Sequence, residues 1–263
     1  MLEQMINFLV SGFVYPGISW DLTLIGIGLG LGFGVIWLLG YWPPIIKKPW
    51  LLVVMAASAF IPWVAVAFIQ IPLQLLTGQA MVQIWGQGEV IKWLLVAGIP
   101  AVLYSGLVQE GAKLIPIVVW WLRKDKMVIP KVGLIIGAMA GAGFGIFEAV
   151  WANNSVLAAG WNWTAVQTSG LTALAPFWER LFAVALHIGM SALAGYGLAK
   201  GWGWQFYLLA SFVHAFTNYA AVLFQSGTIT IIQVEIYAAV VAVLAMGSVL
   251  WLRWRKSEDE LDE

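Results

Sequence analysis

Seven runs of mainly apolar residues decide what this chain can become, covering 21–41, 50–72, 91–122, 131–152, 178–200, 204–225 and 229–252. A run of about 20 such residues spans a ~30 Å hydrocarbon core as a helix, the one form in which a lone segment satisfies all its backbone polar groups there. The expected fold is an all-α polytopic membrane helix bundle with about seven transmembrane helices, read as a single integral membrane domain over 1–263. The stretch 1–16 is apolar but short and ends at Pro16-Gly17, so it is expected as an N-terminal interfacial helix. The third run is too long for one straight span, since at ~1.5 Å per residue it exceeds the core by about half. Breaks or kinks are therefore expected at Gly98 and Pro100 and at Ser105-Gly106. The segment 153–176 reads as an outer linker, with the triplets Asn153-Asn154-Ser155 and Asn162-Trp163-Thr164 on its loop.

Composition removes the competing classes. Only 10% of residues are charged and mean hydropathy is +0.89, whereas a soluble domain carries about a quarter charged residues. Net charge is zero, so no basic field argues for a nucleic-acid partner. Cysteine is absent, which excludes disulfides, thiolate catalysis and cysteine-based metal sites. Glu3 stands where a cleavable signal peptide would carry Lys or Arg, so the first membrane helix is expected to act as insertion signal. With the N-terminus outside, the inner side receives Lys47, Lys48, Arg123, Lys124, Lys126, Lys131, Lys200, Arg253, Arg255 and Lys256, and the outer side Lys92 and Arg180. That asymmetry predicts a multi-pass protein of the cell membrane with its acidic tail, 257–263, in the cytoplasm. The 17 Trp residues read as interfacial anchors.

Against this apolar background a short set stands out: Gln109, Glu110, Lys113, Glu148, His187, His214 and Asn218. A charge at the centre of a spanning helix costs about 2.5–3.5 kcal/mol on insertion scales, so such residues usually face the bundle interior and mark a site. Counting ~1.5 Å per residue from the cytoplasmic ends puts Glu110 about 18 Å up, His187 about 19 Å and His214 about 15 Å, with Glu148 nearer the outer face at about 25 Å. His214 and Asn218 share a helix face, as do Arg180, His187 and Ser191. Gly133, Gly137, Gly141 and Gly145 recur every four residues, a spacing that lets helices approach closely. Glu148 lies on that inward stripe. Gly26, Gly28, Gly30, Gly32 and Gly34 likewise read as close packing. Glu110 with Lys113 also reads as a simple i,i+3 ion pair, and either histidine alone as a packed core residue.

Two imidazoles and a carboxylate form a three-ligand set for catalytic zinc, with a fourth position for water. A second carboxylate then serves as general base, and Asn218 as donor to a developing oxyanion. A metal-free version has a buried glutamate activating water directly. Either route hydrolyses an amide within the bilayer.

The segment Gln109-Glu110-Gly111-Ala112-Lys113 resembles the Glu-Glu-x-x-Lys/Arg motif of the PrsW-like and YhfC-like intramembrane metalloproteases, within the CAAX prenyl endopeptidase superfamily. Gly143 to Glu148 resembles the family's Gly/Phe-rich helix ending in Glu. Glu179-Arg180 followed by His187 is similar to the third motif, and His214-Ala215-Phe216-Thr217-Asn218 to the fourth, His-x-x-x-Asn/Asp. The four occur in family order over about 91–225. The resemblance implies a helical membrane protease with Glu110, Glu148, His187 and His214 around a metal or an activated water. His187, His214 and Glu148, and Glu110 as a further candidate, are the implied ligands, with Arg180 and Lys113 positioning them. The chain departs from the pattern at Gln109, where the family carries the first Glu.

Three functional readings follow. The first is a metal-dependent endopeptidase, with zinc as cofactor, cleaving membrane protein or peptide substrates. The second is a catalytically inactive pseudoprotease that scaffolds membrane partners, favoured by Gln109. The third is a proton-coupled transporter, since buried Glu, Lys and His also suit relays; the matching halves common in carriers are missing from the sequence.

Overall fold

The computed structural model describes residues 1–123 and 129–255. Lys124, Lys126, Lys256 and the acidic tail 257–263, which enter the sidedness argument above, lie outside the described residues. Twelve α-helices follow in order among the described residues: α1 (Leu2–Ser11), α2 (Trp20–Leu38), α3 (Trp50–Ala65), α4 (Ile71–Trp85), α5 (Gln87–Lys92), α6 (Leu94–Ala97), α7 (Ile99–Arg123), α8 (Pro130–Ala158), α9 (Trp163–Ser169), α10 (Ala175–Ala199), α11 (Gly203–Gln225) and α12 (Ile231–Trp254). They build seven segments long and apolar enough to cross a membrane. The chain is a multi-pass membrane protein of the all-α class.

Some boundaries depart from expectation. The second span does not end at 72. A widened turn at Val66–Gln70 joins α3 to α4, and the segment runs on to Trp85. Pro62 lies inside α3 without a backbone N–H to give, and the wide turn follows it. The polar residues beyond 72 stay helical because α7 receives them: Gln74 Nε2 donates to the Ala101 carbonyl at 2.9 Å, and Thr77 Oγ1 lies 3.0 Å from Tyr104 Oη. The third segment breaks at Trp93 and Gly98. Pro100 sits in the first turn of α7, where its missing N–H costs nothing, and the helix continues through Ser105-Gly106. Gly106 serves approach rather than bending, since a methyl there would lie 2.2 Å from the Ser211 carbonyl oxygen on α11.

The segment 153–176 is not a linker. α8 continues to Ala158, and α9 with a 3-10 stretch at Gly170–Leu174 leads into α10. Asn153 and Asn154 are buried within α8, so the first triplet is not on a loop. Asn162 caps α9, its side-chain oxygen accepting from Thr164 N–H at 2.9 Å. Nor are all the tryptophans interfacial. Trp63 is 1% exposed, stacks on Phe8 at 4.3 Å between centroids, and donates to the Leu9 carbonyl, fastening α1 to the bundle.

The centre of the bundle is α8 against α10, the most extensive helix contact. Methyl groups at Gly133, Gly137 and Gly141 would fall 2.5, 2.1 and 2.2 Å from the carbonyl oxygens of Gly195, Ser191 and His187. The four-residue glycine stripe therefore brings backbone onto backbone and fixes the register of the two helices. On another face, Gly143 meets the Met55 carbonyl of α3, and Gly26, Gly30 and Gly34 of α2 seat Asn154, Val150 and Ile146. Gly28 and Gly32 differ from the packing expected of them, as no atom comes within 4 Å of a methyl there. These two faces make opposite predictions. Gly28→Ala is expected to hold or raise thermal stability, by up to ~1 kcal/mol. Gly137→Ala is expected to cost about 1–3 kcal/mol, because backbone rather than a side chain must yield. Tryptophan-monitored thermal unfolding in detergent checks both.

Candidate functional site

α7 contributes Gln109, Glu110 and Lys113, all buried. Lys113 Nζ lies 2.6 Å from Glu110 Oε1 one turn back, so the i,i+3 pair forms, with Lys113 0% and Glu110 1% exposed. The pair does not stop there. Lys113 Nζ is also 2.9 Å from Nδ1 of His187 on α10. An ammonium only donates, so Nδ1 accepts and the ring proton sits on Nε2. That nitrogen is 3.1 Å from Glu148 Oε2, which also accepts from Arg180 Nη1 at 3.2 Å. Arg180 pairs in turn with its neighbour Glu179. At the other end, Glu110 Oε1 is 2.7 Å from Nδ1 of His214 on α11. A carboxylate acceptor puts the His214 proton on Nδ1 and leaves Nε2 with its lone pair. Seven ionisable side chains from four helices thus form one hydrogen-bonded chain: Glu179, Arg180, Glu148, His187, Lys113, Glu110 and His214.

The packing explains why the chain closes. The two imidazoles lie 5.1 Å apart between centroids, and Phe144 sets its ring edge-on to His187, also at 5.1 Å. Glu148, placed nearer the outer face by counting turns, comes to His187 because register is set by the glycine contacts. A methyl at Gly145 would be 3.1 Å from His187 Cβ, and Glu148 lies three residues on. Side chains on a helix lean toward its N-terminus, so Glu148 reaches back to the ring.

Donor atoms of Glu110, His187 and His214 all lie within 4.8 Å of one another. By residue type this buried set suits a metal with an open position. The third donor in the group is Glu110 and not Glu148. Both ring nitrogens of His187 already have partners, so a metal there must displace either Lys113 or Glu148 from the ring.

Two adjoining spaces meet the site. A cleft of about 1030 Å³ is lined by Gln70, Gln109, Glu148, Arg180, Asn218 and Glu235 among others. It adjoins a pocket of about 60 Å³ that shares Glu148, Arg180 and Asn218 with it and adds His187 and His214, room enough for water. Gln109 Nε2 donates to Gln70 Oε1 at 3.0 Å, and Asn218 Nδ2 to Ser105 Oγ at 2.9 Å. Gln109 Oε1 has no hydrogen-bond partner among the described residues. Gln70 and Glu235 are missing from the sequence-derived set. Both lie within the apolar runs, so an unpaired polar group in an apolar helix was the available signal, blurred for each by its nearness to a span end.

The family model of the YhfC intramembrane metalloproteases matches residues 147–241. That stretch carries Glu148, Arg180, His187, His214 and Asn218, while Gln109, Glu110 and Lys113 precede it. No curated protein matches the chain, and no solved structure does.

Proposed function

We propose, from that family match, that the chain is an intramembrane metallopeptidase that hydrolyses peptide bonds of membrane-associated substrates and uses zinc. The observation that carries this reading is the water-sized pocket that adjoins a substrate-sized cleft and is lined by Glu148, His187, His214 and Asn218. We place the N-terminus outside the cell membrane, which puts the cleft-lining residues Val90, Thr172 and Ala173 toward the outer side.

Glu110, His187 and His214 would hold the metal. When bound, it supplies Lewis acidity, polarising the scissile carbonyl and easing loss of a proton from water. Glu148 takes that proton as the water oxygen bonds to the carbonyl carbon, then gives it to the leaving amine as the C–N bond breaks. Arg180 keeps Glu148 aimed at the pocket. Asn218 spends one N–H on Ser105 and keeps the other for the developing oxyanion. Gln109 Oε1 accepts a substrate backbone N–H instead of acting as a base. Protein purified in detergent is expected to carry about one zinc per chain by mass spectrometry, and the His187→Ala/His214→Ala variant none. Folded wild type without metal would overturn the metallopeptidase reading.

Two observations favour a scaffold instead. Lys113 already holds Glu110 and His187, and Gln109, bonded to Gln70, takes the place of a carboxylate. Metal-free wild type would select that reading.

A further inference from the structure

The charged residues of the large cleft do not balance. Its wall carries three carboxylates, Glu148, Glu179 and Glu235, and one guanidinium, Arg180. Arg180 hydrogen-bonds Glu148 and Glu179 and makes no hydrogen bond to Glu235. Glu235, on α12, is 8% exposed and its Oε2 has no hydrogen-bond partner among the described residues. A second buried acceptor lining the same cleft, Gln109 Oε1 on α7, also has no hydrogen-bond partner among the described residues and belongs to no acidic group. Buried acceptors left unpaired cost stability unless a ligand satisfies them, and excess negative charge in a low-dielectric cleft favours a cation. With Glu235 ionised both free atoms are acceptors, so each lacks a hydrogen-bond donor.

We infer that Glu235 is the floor of a cation subsite in the cleft, taking the ammonium or guanidinium of a Lys or Arg side chain close to the scissile bond of the substrate. The assignment rests on the peptidase reading and narrows its substrate class to membrane-associated peptides with a basic residue beside the cleavage point. In an apolar segment such a residue is rare, so a subsite that compensates it selects among anchors that apolar contacts alone cannot tell apart. The discrimination is polar, and a site built for a charged group rejects analogues lacking it more strongly than an apolar pocket does.

The test is equilibrium binding of dye-labelled Leu/Ala peptides of about 20 residues, each with a central Lys, Arg, Leu or Glu. Detergent-purified full-length protein is used with chelator present, so that binding is read without turnover. Wild type is expected to bind the Lys and Arg peptides about tenfold tighter than the Leu peptide and the Glu peptide more weakly still. This comparison needs no variant, and equal affinities would overturn the subsite. Glu235→Gln is expected to bring the Lys preference to within about twofold while leaving Leu-peptide affinity unchanged. Glu89→Gln, which removes an exposed carboxylate outside this cleft, is expected to leave the preference intact. A preference surviving Glu235→Gln would also overturn the assignment, as would displacement of the Lys peptide by sodium or magnesium at equal charge, which marks a free-ion site. Cleavage of all four peptides alike after metal is restored leaves the peptidase standing without the subsite. A Lys preference with no cleavage of any peptide leaves the subsite standing without the peptidase.

Discussion

Glu148→Gln is expected to lower kcat for membrane peptide cleavage by about 10²–10⁴-fold, with KM little changed, because an amide cannot take the proton that attack by water releases. The substitution keeps the shape of the side chain and one acceptor for Arg180, whose pairing with Glu179 is untouched. Fold and metal content are expected to stay near wild type, since the close donor group is Glu110, His187 and His214. The metal measurement separates two roles for this carboxylate. Loss of metal along with activity would make Glu148 a ligand, as the resemblance implied, and would leave Glu110 to orient His214.

Lys113→Met is expected to cost about 3–5 kcal/mol of stability, the scale for removing one partner of a buried ion pair. Lys113 is 0% exposed and contacts both Glu110 and His187, so its loss strands a carboxylate in the apolar interior and frees the His187 ring. The double variant Glu110→Gln/Lys113→Met is expected to recover much of that loss, because no uncompensated charge remains. Thermal unfolding of the two single variants, the double variant and wild type closes the cycle. Additive effects would show that the 2.6 Å contact carries no coupling.

The spans and the inward polar set are legible in the sequence because the bilayer is a strict solvent. It fixes helix length and makes charges deep within a span conspicuous, so Glu110, Lys113, Glu148, His187 and His214 stand out unaided, while the buried Glu235, close to a span end, does not. Breaks are less legible because they depend on partners. The Ser105-Gly106 pair looks like a kink until Ser211 is found against it, and Gln74 looks like the end of a span until Ala101 accepts from it. Depth counted along separate helices accumulates error, and this displaces Glu148. The register of α8 and α10 is set instead at Gly137 and Gly141, where backbone meets backbone. The departure at Gln109 is visible in the sequence. Its answer, Gln70, sits 39 residues away at the end of a widened turn that no local pattern announces.

The pairing of Glu110 with Lys113 also bears on how the protein is made. Helices are released into the bilayer in the order of their synthesis, and α7 leaves before α10 and α11 exist. Its two charges are three residues apart on one helix, so each carries its counter-ion into the lipid, and α7 can wait there without a neighbour. Glu148 has no such companion on α8. Its partner, Arg180, arrives 32 residues later, on the helix whose backbone the α8 glycines receive. Release of α8 alone therefore carries the cost of one lone charge, about 2.5–3.5 kcal/mol at a span centre, and the docking of α10 with Arg180 offsets it.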